Sequence, residues 1–224
     1  MEQNQSQLIR TARMAGLWYL LMAITGILGF VVLHPQVFDS NPEQTLKNIT
    51  SGVLNARLRL LLEFGIILAQ ALTAIWFYRL FKQINNWAAL ATGIWGMVNA
   101  ILIMLSAVAM ASTIEIALSS TAADIQIHQI NLLTTVMTHA WGIGGLFFGL
   151  WLMPLGYIVT STKRMPVWLG RTLIIGGIGY LISTFLTYSG YSGIWRELLT
   201  VPATIAEFWM IGYLFAYGIR PVQD

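Results

Sequence analysis

The stretch from Gln83 to Ile114 constrains this chain most, because its 32 residues include no Lys, Arg, Asp or Glu. A helix needs roughly 20 apolar residues to cross a bilayer core about 30 Å thick, and a soluble helix without charges would have no polar face to turn toward water. Similar runs recur along the chain, and charged residues make up only 9% of it, against about 25% in a typical soluble domain. The sequence therefore predicts a polytopic membrane protein.

Six apolar runs are long enough to form transmembrane helices, and helices are favoured over open strands because backbone groups in lipid must be hydrogen-bonded internally. The expected spans are Met14–Leu33, Leu58–Phe81, Trp87–Ala111, Thr134–Val159, Leu169–Tyr188 and Val201–Ile219. Residues 1–7 are polar and no small-residue cleavage site follows the first run, so this run is expected to be a span rather than a cleaved signal. Residues 1–224 are expected to form a single all-α domain, a bundle of six transmembrane helices.

The distribution of Lys and Arg predicts the orientation, because short cytoplasmic loops are enriched in positive residues. The eight on the side of the termini are Arg10, Arg13, Arg79, Lys82, Lys163, Arg164, Arg171 and Arg220. The four on the opposite side are Lys47, Arg57, Arg59 and Arg196. Both termini are therefore expected in the cytoplasm, with the protein in a bacterial inner membrane. Basic residues scattered over loops in this way favour a lipid bilayer as partner rather than a nucleic acid.

Two segments that connect the spans are predicted to contain helical structure. Asn41 followed by Pro42 is typical of a helix start, and a short amphipathic helix on the outer surface is predicted for Pro42–Asn55. Its apolar residues at helical spacing are Leu46, Ile49, Val53 and Leu54. The segment Ser120–Leu133 is either a similar helix or an extension of the fourth span. Pro154, late in that span, is expected to kink or end it.

Small and polar residues follow one face of several spans. In the fourth span this face includes Gly145, Gly149 and Gly156, and the first two form a small-xxx-small pair. Such residues let membrane helices approach closely, so the glycines are expected to pack helices together.

Three acidic or histidine residues lie within the expected spans, where a charged side chain at the bilayer centre costs roughly 2.5–3.5 kcal/mol on insertion scales. They are Glu63, His139 and Glu207. Arg59 precedes Glu63 by four residues, so the two can pair along one helix face. Glu207 has no such partner in its own helix and is expected to hydrogen-bond to Asn99 or to a backbone carbonyl.

Their similar depth predicts a polar pocket in the outer half of the bundle, which would bind a small molecule, a lipid headgroup or an ion. Glu63, His139 and Glu207 would line this pocket, with Arg59 as an anchor and with Gln70 and Asn99 below. The same three ionisable residues also suit a proton relay or a divalent metal site. A membrane-embedded enzyme with a lipid-like substrate, using Glu207 and His139 as acid and base, is a further alternative, as is an accessory or structural subunit.

No cofactor is identified by the sequence. The absence of Cys excludes thiolate metal sites and thiol catalysis within the chain. His128 and His139 are eleven residues apart, which is about 16 Å along a helix, so they cannot be the two axial ligands of one haem.

Four segments, by their order and spacing, form a pattern shared with a known family: Arg10–Leu20, His139–Gly156, Pro166–Tyr180 and Pro202–Glu207. Together they resemble the bacterial DUF4386 family of uncharacterised integral membrane proteins. The resemblance implies a six-helix membrane bundle and supplies no activity, cofactor or substrate.

At two positions this sequence departs from the family pattern. Members of the family often carry an Asp in the second span and an Arg in the third, and the matching positions here are Gln70 and Gly96. Losing both avoids leaving one buried charge uncompensated. His139 and Glu207 match positions of the family pattern.

Overall fold

The computed structural model describes residues 5–221, and all regular secondary structure in this part of the chain is helical. The α-helices are α1 (Gln5–Ile27), α2 (His34–Val37), α3 (Pro42–Ser51), α4 (Val53–Phe81), α5 (Asn86–Ala117), α6 (Ala123–Thr162), α7 (Val167–Tyr188), α8 (Trp195–Leu198) and α9 (Val201–Ala216). A π-helical segment, Leu28–Leu33, joins α1 to α2. The prediction of an all-α fold is confirmed.

Six helical stretches are long and apolar enough to cross a membrane, so the prediction of a polytopic membrane protein is confirmed as well. They are Gln5–Val37, Val53–Phe81, Asn86–Ala117, Ala123–Thr162, Val167–Tyr188 and Trp195–Ala216. The last helix ends at Ala216 rather than at the predicted Ile219, since Gly218 adopts a left-handed conformation with φ of 66°. The side on which the termini lie stays a prediction.

The connecting segments correct some details of the sequence analysis. The short helix after Asn41 is confirmed as α3, and the Asn41 side chain accepts a hydrogen bond from the Glu43 backbone N–H at 2.9 Å. It ends at Ser51 rather than Asn55, because the chain leaves helical geometry at Gly52. Most of the segment before the fourth span extends that span, since α6 begins at Ala123.

Pro154 lies inside α6 and does not end it, because the helix continues to Thr162. Of the two predicted outcomes, the end of the span at this proline is therefore wrong, and a kink stays a prediction. Transmembrane helices tolerate an internal proline because neighbouring helices, polar side chains and local adjustments satisfy the backbone groups that it frees.

Contacts divide the described chain into two compact units. Unit 1 comprises residues 5–20, 69–99 and 142–221, and unit 2 comprises residues 21–68 and 100–141.

In unit 1, α6 and α7 touch at the level of the backbone. A Cβ atom at Gly149 would lie 2.6 Å from the carbonyl oxygen of Gly177, and a Cβ atom at Gly177 would lie 2.7 Å from that of Gly149. Gly156 and Gly170 form a second reciprocal pair with distances of 2.6 and 2.7 Å. The packing role predicted for Gly149 and Gly156 is confirmed, because any larger residue would separate the two helices.

The core of unit 2 is built from apolar side chains. Its buried members are Val37, Phe38, Ile49, Ala56, Ala109, Met110, Ile114, Ala117, Ile130 and Met137. Thr45 of α3 ties the preceding loop to this core: its hydroxyl accepts from the Asp39 N–H at 3.0 Å and lies 3.2 Å from the Asp39 carbonyl oxygen. The loop that follows α2 is therefore held in place by side-chain hydrogen bonds as well as by apolar packing.

Candidate ligand-binding site

Unit 2 contains a cavity of about 380 Å³. Its lining residues are Phe30, His34, Phe38, Asp39, Ser40, Arg59, Thr134, Met137, Thr138 and Trp141. They come from the π-helical segment, α2, the loop after it, the first turns of α4 and the middle of α6. The volume falls within the range of about 300–1,000 Å³ that is typical of small-molecule pockets.

Arg59 and Glu63 form a buried ion pair beside this cavity. Arg59 Nη1 lies 2.7 Å from Glu63 Oε2, and both side chains are 0% exposed. The predicted pairing along one face of the second span is confirmed. Burial of a charge is costly unless it is both paired and hydrogen-bonded, so the remaining partners of the two groups matter.

The second oxygen of Glu63 is satisfied by two other helices. Glu63 Oε1 accepts from the hydroxyl of Ser106 at 2.8 Å and from the indole N–H of Trp141 at 3.0 Å. Both carboxylate oxygens therefore have donors, and Glu63 serves to fix Arg59 from one side.

Arg59 is held less completely than its partner. Its Nε and Nη2 atoms are buried and have no hydrogen-bond partner among residues 5–221. The ring of Phe30 lies against the guanidinium, with 4.5 Å between the ring centroid and Cζ, which is a cation–π distance. Gly29 lies against the group, since a Cβ atom there would be 3.4 Å from Nη1, which is ordinary van der Waals contact. Arg59 thus lines the cavity with two N–H-bearing nitrogens still to be satisfied.

The π-helical segment aligns the aromatic wall of the cavity. The His34 backbone N–H donates to the carbonyl oxygen of Gly29, five residues earlier, and such widened turns are frequent at functional sites. The ring centroids of Phe30 and His34 are 5.7 Å apart, and those of His34 and Phe38 are 5.1 Å apart. Trp141 meets Phe30 edge-to-face at 4.5 Å. His34 Nδ1 is buried and has no partner within the described chain.

This arrangement combines an aromatic surface with a small number of convergent donors. Guanidinium groups form short, strong hydrogen bonds with carboxylate and phosphate oxygens, and aromatic rings suit the apolar body of a ligand. The cavity can therefore hold a small molecule that has an apolar body and a hydrogen-bond-accepting head.

The six residues predicted to line a pocket are distributed over both units. Arg59 lines the cavity and Glu63 supports it, whereas His139 lies on the exposed side of α6 next to Thr138. Three belong to unit 1: Gln70, Asn99 and Glu207. A common pocket for all six stays a prediction.

Glu207 is hydrogen-bonded to the first helix rather than to Asn99. Its Oε1 accepts from the hydroxyl of Tyr19 at 2.7 Å, so the expected partner was wrong. A tyrosine hydroxyl reaches further from its helix than an asparagine amide does. Gln70 Nε2 donates to the carbonyl oxygen of Gly96 at 3.4 Å, which brings together the two positions where the family pattern carries Asp and Arg.

A metal site has no support from the geometry. Within residues 5–221, no three His, Cys, Asp or Glu side chains are grouped in a way that could hold a metal ion. The alternative metal site at Glu63, His139 and Glu207 therefore gains nothing from the structure.

Sequence reasoning did not single out the aromatic residues of the site. Phe30 and His34 end the first apolar run, and Trp141 stands two residues after His139. One available signal is His34 itself, an ionisable residue close to the end of a span. The hydrogen bond from Trp141 to Glu63 joins residues 78 positions apart, and no local sequence pattern predicts it.

Comparison with known proteins assigns the chain to a family. A family model described as a domain of unknown function (DUF4386) matches residues 14–218. An uncharacterised protein of Archaeoglobus fulgidus is 35% identical over 72 residues, which cover 32% of this chain and 42% of that protein. The chain thus matches less than half the length of this relative. No solved structure matches the chain.

Proposed function

Since the chain belongs to the DUF4386 family of membrane proteins, whose description carries no activity, we propose a function from the geometry of unit 2. The protein binds a small molecule with an apolar or aromatic body and an anionic head, and the head is received by Arg59. The observation that carries this proposal is the pair of buried Arg59 nitrogens, Nε and Nη2, that have no partner in the described chain beside a cavity of about 380 Å³.

The hydrogen-bonding character of Arg59 favours an anionic head over a cationic one, because a guanidinium has N–H donors and no acceptor, and Glu63 engages only one of its nitrogens. Within residues 5–221, two charged residues line the cavity: Arg59 is fully buried, whereas Asp39 is exposed on the loop. Salt and water screen Asp39 more than Arg59.

An unsatisfied donor also selects against ligands without an acceptor. A buried polar group that lacks its partner costs about 1–3 kcal/mol. A ligand oxygen that accepts from Nε or Nη2 recovers this cost, and a purely apolar molecule does not. The site therefore discriminates by the head group, while the aromatic wall of Phe30, His34 and Phe38 contributes affinity with little selectivity.

Binding is favoured over acid–base catalysis at this cavity. The carboxylate beside it, Glu63, has both oxygens engaged by Arg59, Ser106 and Trp141. It would have to give up hydrogen bonds before it could take a proton from a substrate. Glu63 is thus suited to position Arg59, and the alternatives of an enzyme or an accessory subunit stay predictions of the sequence.

Phenylacetate and its uncharged analogue phenylacetamide test this proposal, because they share one shape and differ in the charge of the head. At about ten times its Kd, phenylacetate is expected to raise the Tm of the purified protein in detergent by about 3–6 °C. Phenylacetamide is expected to give a clearly smaller shift. Equal shifts from the two compounds would overturn the assignment of an anionic head.

A cavity-filling variant locates the binding. Thr138 lines the cavity from the exposed side of α6, so Thr138→Phe is expected to remove the phenylacetate shift without loss of folded protein. Thr135→Phe is the matched control: Thr135 is exposed on the same helix, does not line the cavity and bonds its hydroxyl to a carbonyl four residues earlier, as Thr138 does. If Thr138→Phe keeps the full shift, the cavity is not the binding site.

A further inference from the structure

We propose that a second cavity, in unit 1, binds the phosphate group of an anionic phospholipid. This cavity has a volume of about 230 Å³. Its lining residues are Gln7, Arg10, Thr11, Met14, Trp76 and Arg79. None of them lines the cavity of unit 2, so this inference stands or falls separately from the proposed function.

Within residues 5–221, the charged residues that line this cavity are all positive. Arg10 and Arg79 are its charged lining residues, and neither forms an ion pair within residues 5–221. Two guanidinium groups at one cavity provide planar, bidentate donors of the kind that phosphate oxygens prefer. Among residues 5–221, no carboxylate lines the cavity to compete with an incoming anion.

The exposed part of the lining is charged and the more buried part is apolar, which matches the polar headgroup and apolar chains of a lipid. Arg10 and Arg79 are exposed, whereas Met14 and Trp76 are partly buried. Trp76 also holds Arg79, whose Cζ lies 5.0 Å from the indole centroid, a cation–π distance. A headgroup phosphate can therefore meet the arginines while the adjoining glycerol and acyl carbons contact the apolar side chains.

The loops of unit 1 that follow α4 and α6, with the helix ends beside them, have the composition of a membrane–water interface. Large aromatic residues that begin or end helices of unit 1 are strongly exposed, with Trp87 at 79%, Trp168 at 66% and Tyr157 at 54%. Such rings are enriched at the level of the lipid headgroups. The loops at 82–85 and 163–166 contain three basic residues and no acidic one. Basic sites of this kind between transmembrane helices bind anionic headgroups.

Thermal unfolding in a maltoside detergent tests the assignment with three additives: phosphatidylglycerol, phosphatidylcholine and soluble glycerol phosphate. Phosphatidylglycerol is expected to stabilise the wild type saturably, and the other two are expected to do so far less. Each of Arg10→Gln and Arg79→Gln should weaken the apparent affinity for phosphatidylglycerol about fivefold, from the usual contribution of one basic residue near an anionic surface. Equal stabilisation by phosphatidylcholine would overturn the role of charge.

A matched control separates the cavity from general surface charge. Arg171 lies over Trp168, with 4.8 Å from Cζ to the ring centroid, and follows it by three residues as Arg79 follows Trp76. It does not line the cavity, so Arg171→Gln should leave the affinity within about twofold of wild type. A loss as large as that of Arg79→Gln would overturn the cavity as the site. Saturable stabilisation by glycerol phosphate equal to that of the lipid would show a soluble phosphate to be the ligand and would overturn the lipid assignment.

Discussion

Arg59 and Glu63 show how a membrane helix can carry two charges in its interior. Taking an ion pair out of water has a cost that the attraction between the charges only partly offsets. Here the carboxylate of Glu63 also accepts hydrogen bonds from Ser106 and Trp141. The ring of Phe30 lies over the guanidinium of Arg59. These extra contacts make the pair tolerable, and each partner depends on the presence of the other.

Removing one member of the pair should therefore cost more than removing both. Glu63→Leu leaves a buried guanidinium uncompensated and is expected to lower the free energy of unfolding by about 3–5 kcal/mol, a fall in Tm of roughly 10 °C. The double variant Arg59→Leu/Glu63→Leu should be more stable than Glu63→Leu alone. Thermal unfolding of the purified variants in detergent measures both, and Glu63→Gln replaces Glu63→Leu if the latter gives no folded protein. A double variant less stable than the single variant would contradict the coupling.

At the level of helices, close backbone approach decides how the spans of unit 1 pack. Gly149 and Gly156 of α6 meet Gly177 and Gly170 of α7 in an antiparallel arrangement, and the two contacts are seven positions apart on each helix. On another face of α7, a Cβ atom at Gly176 would lie 2.5 Å from backbone atoms of Ala203 in α9. Small residues bring these helices within van der Waals reach of each other's backbones, which is the main attraction between helices in lipid.

Adding a single methyl group at these contacts should destabilise the protein. Gly149→Ala and Gly177→Ala each place a Cβ atom against a carbonyl oxygen, and overpacking of this kind typically costs about 1–3 kcal/mol. Gly26→Ala and Gly212→Ala are the controls, because a Cβ atom at either position would have no neighbour within 4 Å. The controls should keep or slightly raise the Tm, since Ala favours a helix interior more than Gly does. If all four variants unfold at the same temperature, the close contacts contribute nothing to stability.

For the molecule as a whole, the distribution of charge predicts how the six spans sit in the membrane. Eight basic residues are expected on the side of the termini and four on the opposite side, although the helices themselves fix no direction. Because α5 is a single span, the loop that precedes it and the loop that follows it should face opposite compartments.

Cysteine labelling tests this orientation, and the natural chain contains no cysteine that would interfere. Ser119→Cys, in the exposed loop after α5, should react with a membrane-impermeant maleimide on intact bacterial cells. Gln83→Cys, in the exposed loop before α5, should react only after the cells are opened. The reverse pattern would place the termini outside, and labelling of both variants on intact cells would contradict a membrane crossing by α5.

Much of this architecture was accessible from the sequence because the physical causes are local. The free energy of transferring a run of side chains into lipid depends on the composition of that run, so hydropathy located all six spans. The cap at Asn41 and the pair of Arg59 with Glu63 involve residues two and four positions apart. Fixed helical geometry converts such spacings into contacts.

The candidate site depended on the tertiary structure. Ser106 and Trp141 reach Glu63 across 43 and 78 residues, and Tyr19 reaches Glu207 across 188. Which side chains meet is decided by the rotation of each helix about its axis, and the packing of small residues sets this rotation. Hydropathy is insensitive to it, because every rotation of a helix buries the same run of residues in the membrane. The sequence by itself thus determined that the chain crosses a membrane six times, and only the folded bundle decided that Arg59 lines the cavity together with an aromatic wall.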